Sequence, residues 1–237
     1  MKLVELRRVT ASYGGRDAGP VLKDINLSIE RGERTALLGA NGAGKSSLLL
    51  SMVGILPLIS GEIVIDSLPL KKENLAALRK SVGLVFQNPD DQLFMPTVFE
   101  DVAFGLRNYG ETEEEEKVKA VLEKLGIASL ARRSSRLLSG GEKRLAALAG
   151  VLVMEPQIIL MDEPGSFLDP RARRNLVKIL QEYAREISPA LLIATHDFDL
   201  ARKICGRAVL LKEGRIFAEG PIETMLADAS LLEECGL

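Results

Sequence analysis

The strongest chemical signal in the sequence is a glycine-rich segment, GANGAGKS, at residues 39–46. It matches the pattern G-x-x-x-x-G-K-[ST] and lies between a short apolar run, TALLG, and a segment with helical composition. Glycines allow backbone N–H groups to converge on phosphate oxygens, and the N-terminus of the following helix adds its positive end. The alternative, a glycine-rich turn that binds nothing, explains less of this context. The predicted nucleotide-binding residues here are Gly39, Ala40, Asn41, Gly42, Ala43, Gly44, Lys45, Ser46 and Ser47.

Two side chains of this segment have the chemistry to act on a nucleotide directly. Lys45 can reach the β and γ phosphates, and the Ser46 hydroxyl can bind Mg²⁺. The segment therefore predicts an ATP site with a magnesium ion.

A second chemical group is the pair of acids that ends the apolar segment IILMDEP at 158–164. The apolar residues predict a buried strand, and Asp162 follows at its C-terminal end, the edge at which open α/β sheets bind ligands. We expect Asp162 to bind Mg²⁺, mainly through water, and Glu163 to orient or deprotonate an attacking water. A strand that ends in Asp-Glu is weak evidence alone, but beside the glycine-rich loop it is strong.

His196, the only histidine in the chain, follows the apolar segment LLIAT and is predicted at the same edge of the sheet. An imidazole there can contact the γ-phosphate and hold the water and Glu163 in line. A purely structural histidine is the alternative. Gln87 also follows an apolar segment, VGLVF, and the residues alone leave open what it faces.

The order of elements predicts a mixed α/β protein with a helical insertion of about 60 residues. Apolar runs predict strands at 63–65, 82–86, 158–162 and 190–195, and a hairpin around Glu213-Gly214. Between Thr97 and Pro156 the pattern is helical, and three pairs have the spacing of a capping box. These pairs are Thr97 with Glu100, Thr112 with Glu115, and Ser139 with Glu142.

Two helices are predicted from their apolar stripes. The first stripe ends at Gly126, and the second follows Asp169-Pro170, a favourable helix start. The residues expected to be buried are Val118, Val121, Leu122, Leu125, Leu176, Ile179, Leu180, Tyr183 and Ile187.

Composition excludes several classes of protein. The net charge is −2, with 31 basic and 33 acidic residues and no run of Lys/Arg, so we expect no nucleic acid partner. Cys205 and Cys235 have no metal or redox spacing and are expected to be reduced thiols. The longest apolar stretch, 48–59, falls short of the ~20 residues of a membrane span. We expect a soluble chain whose membrane role, if any, comes through a partner.

One further motif makes the function specific. The segment LLSGGEKR at 137–144, together with GANGAGKS, IILMDEP, Asp169 and His196, resembles the ATP-binding-cassette (ABC) ATPases over residues 4 to about 220. The resemblance implies an α/β fold, with a P-loop NTPase core at 1–87 and 156–220 that includes an N-terminal antiparallel β region. It also implies an inserted helical subdomain at 88–155, and residues 221–237 are expected to form a short helical tail.

The resemblance implies further site residues. Two such chains stack head to tail, and Ser139, Gly140 and Gly141 of one chain close on the γ-phosphate held by the other. Asp169 acts across the same interface, and Gln87 is the glutamine that senses the γ-phosphate and Mg²⁺. Tyr13 would stack on adenine, with a surface tyrosine on a strand as the alternative.

The sequence departs from the family pattern at three positions. Glu142 replaces the glutamine common in the family's signature segment, here LLSGGEKR at 137–144, but keeps the capping-box spacing. Gly165 and Phe167 stand where Thr and a small residue are usual. We expect altered packing around Gly165 and Phe167 but retained hydrolysis.

The function implied is an ATP-hydrolysing subunit of a membrane ABC transporter. FQNPDDQLF at 86–94 and TVFEDVAFG at 97–105 are similar to the ATPases of cobalt/nickel and energy-coupling-factor (vitamin) importers. The implied partners are transmembrane permease subunits and a second ATPase chain, identical or paralogous, at the cytoplasmic face of the membrane. Leu93-Phe94 is then a docking or hinge anchor, or alternatively plain core. A non-transport ABC ATPase or a nucleotide-dependent regulatory module is the alternative function.

Overall fold

A computed structural model describes residues 1–14, 19–166 and 168–237. In this part of the chain the strands form two sheets. The smaller sheet has the order β2-β1-β4-β5 and is antiparallel throughout, as the resemblance implied. Its strands are β1 (Lys2–Ala11), β2 (Leu22–Glu30), β4 (Leu58–Ile65) and β5 (Leu68–Pro69).

The larger sheet is mostly parallel and has the order β10-β9-β3-β8-β7-β6. The pairs from β9 to β6 are parallel, and β10 is antiparallel to β9. Parallel strands bring their carboxyl ends to one edge of the sheet. The strands are β3 (Arg34–Leu38), β6 (Val82–Val85), β7 (Ile158–Asp162), β8 (Ala190–Ala194), β9 (Arg207–Lys212) and β10 (Arg215–Pro221).

The predicted hairpin around Glu213-Gly214 joins β9 to β10. Both turn residues have positive φ, 48° and 78°, which a two-residue hairpin of the right twist requires.

The helices fall into those of the core, those of the insertion and those of the tail. They are α1 (Lys45–Met52), α2 (Leu75–Ser81), α3 (Val98–Asn108), α4 (Glu114–Lys124), α5 (Gly140–Leu152), α6 (Pro170–Glu186), α7 (Phe198–Ile204), α8 (Ile222–Ala227) and α9 (Ala229–Glu234). Among the described residues, no helix has the length and apolar character needed to cross a membrane.

The larger sheet is the middle layer of the molecule. Alternate residues of its strands face opposite sides: Leu37 packs with the antiparallel sheet and α1, whereas Ala36 and Leu38 pack with the helices of the insertion and with α6 and α7. Strands β7 and β8 are covered on both faces and need no polar face. Their residues are therefore apolar, except for Asp162 at the end of β7.

The caps of the inserted helices decide where each begins. Thr97 caps α3 and Ser139 caps α5 with a complete capping box, as the spacing predicts. The third predicted pair, Thr112 with Glu115, is wrong: Glu113 is the N-cap of α4 and no side-chain cap bond forms. Thr112 lies one residue too early, and the acidic first turn favours the helix through its dipole instead.

The structure differs from the sequence prediction in three other features. The strand predicted at 63–65 is the end of the longer β4, because Gly61 lets that strand bend past β1. Helix α2, which precedes β6, was not predicted from the sequence. Ile187 is 41% exposed, since it lies just past the end of α6, whereas Leu176 and Tyr183 are buried as expected. Cys205 and Cys235 are free and buried.

Candidate active site

The glycine-rich loop connects β3 to α1 at the carboxyl edge of the larger sheet. Gly42 and Gly44 have φ of 82° and 105°, a region that residues with a Cβ rarely adopt. Gly44 is the N-cap of α1 and has no side-chain cap bond, so the first N–H groups of the helix are available to an anion. The local backbone therefore explains why glycine occupies these positions.

Lys45, at the end of this loop, and Asp162, at the end of β7, are both buried. The Lys45 ammonium donates to the carbonyls of Gly39 at 2.6 Å and Ala40 at 3.2 Å. Burial lowers the pKa of Lys45, and attraction to Glu163 and Asp162 opposes that shift. Burial also raises the pKa of Asp162, opposed mainly by a hydrogen bond from Ser46. Both groups thus lie in a poorly hydrated site that strengthens their attraction for an ionic ligand.

The donor set suits a magnesium ion. Ser46, Gln87 and Asp162 line one cavity and offer hydroxyl, amide and carboxylate oxygens, the ligands that a hard divalent cation prefers. Among the described residues no group of three or more His, Cys, Asp or Glu side chains forms a protein-only metal cage. A Mg²⁺ ion that binds together with substrate phosphates typically has only a few protein ligands.

Glu163 is the most constrained acid of the site. Its residue is 6% exposed and its backbone has a positive φ of 45°. The carboxylate accepts three hydrogen bonds: from the Thr195 hydroxyl at 3.0 Å, and from the His196 backbone N–H at 3.1 Å and ring Nδ1 at 2.8 Å. A carboxylate accepts only, so Nδ1 carries the proton and Nε2 remains for a second partner.

These side chains surround a single cleft of about 1010 Å³. The structure brings together predicted residues from four separate segments, because each lies at the carboxyl end of a parallel strand or in the loop after it. The residues that the sequence singled out and that line this cleft are Asn41, Gly42, Gly44, Lys45, Ser46, Ser47, Gln87, Asp162, Glu163 and His196.

Of the remaining predicted residues, Gly39, Ala40 and Ala43 belong to the glycine-rich loop without lining the cleft that the described residues form. Within the described chain, Ser139, Gly140, Gly141 and Asp169 do not line this cleft. A Cβ on Gly141 would come within 3.9 Å of side chains of Leu168 and Ala172, so the signature segment lies next to the start of α6 on the surface. The Asp169 carboxylate caps α6 by accepting from two backbone N–H groups, which lowers its pKa.

Tyr13 lies in a turn after β1 rather than on a strand, so the alternative placement is wrong in that detail. The residue is 66% exposed, and its hydroxyl lies 3.1 Å from that of Ser47 at the start of α1. An exposed ring beside the glycine-rich loop is available for stacking.

Comparisons with known proteins agree with this geometry. A family model described as "ABC transporter" matches residues 22–166. The chain belongs to the ABC transporter family. ATP hydrolysis is the activity of ATPases in this family, and the ABC ATPase predicted from the sequence is confirmed.

Two of the similar proteins carry energy-coupling-factor names. The energy-coupling factor transporter ATP-binding protein EcfA of Methanothermobacter thermautotrophicus is 44% identical over 99% of this chain and 76% of its own length. EcfA2 of Clostridium perfringens is 39% identical over 95% and 81%.

Solved structures give the same result. The cbiO1 protein of Clostridium perfringens, part of the transporter complex cbiONQ, superposes with a TM-score of 0.85 at 38% identity, covering 98% of this chain and 94% of its own. A dimeric ATP-binding cassette in a post-hydrolysis state with ADP and Pi gives 0.82 at 29% identity, covering 92% and 98%.

Of the departures from the ABC pattern, Glu142 completes the capping box of α5. Gly165 packs closely against α7: a Cβ there would lie 2.9 Å from the Leu200 side chain. The usual threonine would displace Leu200, which is the physical basis for altered packing at this point. Phe167 lies outside the described residues.

Several residues that position the groups of the site were not predicted from the sequence. Thr195 positions Glu163, and an ion pair of Arg173 with Asp197 ties α6 to the loop that carries His196. Arg144 and Gln92 bind the segment around Gln87 to α5. Thr195 is adjacent to His196 and was within reach of sequence reasoning, but no local signal pairs Arg144 with residues 57 positions away.

Proposed function

We propose that this chain is the ATP-hydrolysing subunit of a membrane ABC transporter, an importer of cobalt, nickel or vitamins of the energy-coupling-factor type. The observation that carries the proposal is Glu163, held by three hydrogen bonds beside the phosphate-binding loop. The printed names of the EcfA and cbiO1 relatives support the choice of transporter class.

In this function the cleft binds ATP through its phosphates. The N–H groups at the start of α1 and the Lys45 ammonium contact the phosphates, and Tyr13 stacks on the adenine. Ser46, Gln87 and Asp162 would hold Mg²⁺, and the ion would neutralise charge on the phosphate oxygens. When ATP enters, the Lys45 ammonium exchanges loop carbonyls for phosphate oxygens, which are the stronger acceptors.

Glu163 is the group that orients or deprotonates the attacking water. Its carboxylate is fixed by Thr195 and His196, so little reorganisation is needed when water is placed in line with the γ-phosphate. His196 holds Glu163 through Nδ1 and is available to the γ-phosphate through Nε2. The arrangement thus accounts for hydrolysis without a covalent intermediate.

A second ATPase chain, identical or paralogous, completes each site. Ser139, Gly140 and Gly141 start α5 on an exposed surface, and a helix N-terminus is a favourable partner for a phosphate. The same surface carries Asp169 at the start of α6. We propose that this surface closes on the ATP held by the partner.

The permease subunits dock beside the segment that follows Gln87. Leu93 packs inward against the core, whereas Phe94 is 64% exposed and stacks edge-on against Phe104, with ring centroids 4.9 Å apart. The Asp101 carboxylate fixes this loop by accepting from the N–H groups of Phe94 and Met95. We infer that Leu93 is the anchor and Phe94 the docking contact of a chain that lies peripherally at the cytoplasmic face of the membrane.

The experiment is the substitution Glu163→Gln. We expect ATP binding to be kept and turnover to fall by about a hundredfold or more, because the amide cannot accept the water proton. ATP should then trap a dimer, measured by size-exclusion chromatography with ATP and Mg²⁺.

Glu182→Gln is the matched control, since Glu182 lies on the surface of α6 in an exposed ion pair. Unchanged turnover in Glu163→Gln would refute the assignment. Nucleotide binding without any turnover in the wild-type chain assembled with its partners would favour a regulatory module instead.

A further inference from the structure

Arg144 is a buried cation that the proposed reaction does not use. It lies in the second turn of α5 and is only 3% exposed. Among the described residues it forms no ion pair with a carboxylate. Burial lowers its pKa, and attraction to Asp162 opposes that effect. A buried charge without a carboxylate partner is costly, so its hydrogen bonds must account for its place.

Those hydrogen bonds go to the backbone at the end of β6. The Arg144 guanidinium donates to the carbonyl of Phe86 at 2.8 Å and to that of Gln87 at 2.6 Å. A guanidinium has a rigid fork of donors, so it can hold two successive carbonyls in one fixed orientation. The backbone that carries the Gln87 side chain is thereby fixed to α5.

Two further contacts join the same elements. The Gln92 side chain donates to the Ala147 carbonyl on α5 at 2.7 Å and accepts from the Phe86 N–H at 3.3 Å. Lys143 pairs with Asp90 at 2.5 Å on the surface. Contacts of the Arg144, Gln92 and Lys143 side chains therefore bind residues 86–92 to α5, although the chain connects these residues directly to the sheet.

We propose that Arg144 is a positioning residue: it fixes the Gln87 backbone to α5, the helix that begins with the signature segment. The inference rests on the proposed function of the cleft. Gln87 lines the cleft of its own chain, while the N-terminus of α5 presents Ser139 to Gly141 to the ATP of the partner.

The test is Arg144→Met, which keeps the length of the side chain and removes the donors. We expect kcat to fall by about tenfold or more, because Gln87 is misplaced. The KM for ATP should change by less than about threefold, because the phosphate loop is untouched. Arg144→Lys should recover part of kcat, since one ammonium can reach one of the two carbonyls.

A double-mutant cycle with Gln87→Ala separates positioning from general damage. If Arg144 acts through the Gln87 side chain, Arg144→Met should lower kcat little further in the Gln87→Ala background. Losses in kcat that multiply would overturn the inference, as would an unchanged kcat in a folded Arg144→Met variant. Should Arg144→Met not fold by circular dichroism, Arg144→Lys is carried through the same cycle with the same criteria.

Arg107→Met is the matched control. Arg107 lies in the same helical insertion but pairs with Glu114 at the surface, so its loss should leave kcat unchanged. Failure of this inference is distinct from failure of the proposed function. If Glu163→Gln abolishes turnover while the Arg144 criteria fail, only the positioning role is wrong.

Discussion

At the scale of the residue, the site depends on side chains whose partners are distant in sequence. Lys45, Asp162 and Glu163 were recognisable because their neighbours in sequence define a loop or a strand end. Thr195 was not singled out, since a threonine at a strand end is ordinary in any sheet. Its hydroxyl donates to Glu163 and accepts from the Asp197 N–H at 3.0 Å. One buried hydroxyl thus joins the proposed water-activating acid to the histidine loop.

Replacement of Thr195 by Val tests the role of these two hydrogen bonds. The side-chain shape is kept and the hydroxyl is lost, so we expect kcat to fall about tenfold to a hundredfold with little change in KM for ATP. Steady-state hydrolysis assays measure both. Thr195→Ser keeps the hydroxyl and should stay close to the wild type. Equal losses in the two variants would assign the effect to packing rather than to the hydrogen bond.

At the scale of the element, backbone conformation matters as much as apolar pattern. The antiparallel sheet bends where β4 passes β1, and Gly61 occupies that point with φ of 87°. A Cβ there would lie 2.4 Å from the Arg8 carbonyl, so no other residue fits without moving the backbone. The sequence showed only an isolated glycine between a serine and a glutamate, which predicts a turn as readily as a bend in a strand.

Gly61→Ala is therefore expected to lower the free energy of unfolding by about 1–3 kcal/mol. Alanine is strained in the left-handed backbone conformation at this position, and its Cβ would clash with the Arg8 carbonyl. Urea denaturation followed by circular dichroism measures the change. Gly19→Ala is the control, because a Cβ on Gly19 meets nothing within 4 Å. A Gly61 variant as stable as the control would show that β4 adapts its path at no cost.

At the scale of the whole molecule, the proposed function uses two different surfaces of the chain to contact nucleotides. One is the cleft around Lys45 and Glu163, and the other is the exposed start of α5, which does not line that cleft within the described chain. Two separate surfaces are expected if each site is completed by a second ATPase chain. The similar ATP-binding cassette of known structure is itself a dimer.

Gly140→Asp tests the second surface. A Cβ there meets nothing within 4 Å, and an acid in the first turn favours the helix, so the single chain should fold and bind ATP normally. The added carboxylate repels the phosphates of the partner's ATP, and turnover should fall roughly a hundredfold. Equilibrium dialysis and a phosphate-release assay separate the two effects. Gly206→Asp, also in open space, is the control; normal turnover in Gly140→Asp would rule out the proposed closure.

Local sequence patterns were enough to predict the strands of the larger sheet, the phosphate-binding loop, the acids Asp162 and Glu163 at the end of β7, and the ABC family. These features are local: a buried strand, a tight loop and a helix cap each have a short-range pattern because they depend on neighbouring backbone geometry. The family resemblance added the antiparallel sheet.

The contacts that position the site residues, by contrast, are visible only in the folded chain. Arg144 reaches Gln87, Thr195 reaches Glu163 and Arg173 reaches Asp197 across 57, 32 and 24 positions, respectively. Tertiary structure also decided that Leu93 packs inward while Phe94 remains exposed. Contacts of this kind follow from how layers pack against the sheet, and side-chain hydrogen bonds between distant elements leave no periodic trace in the chain.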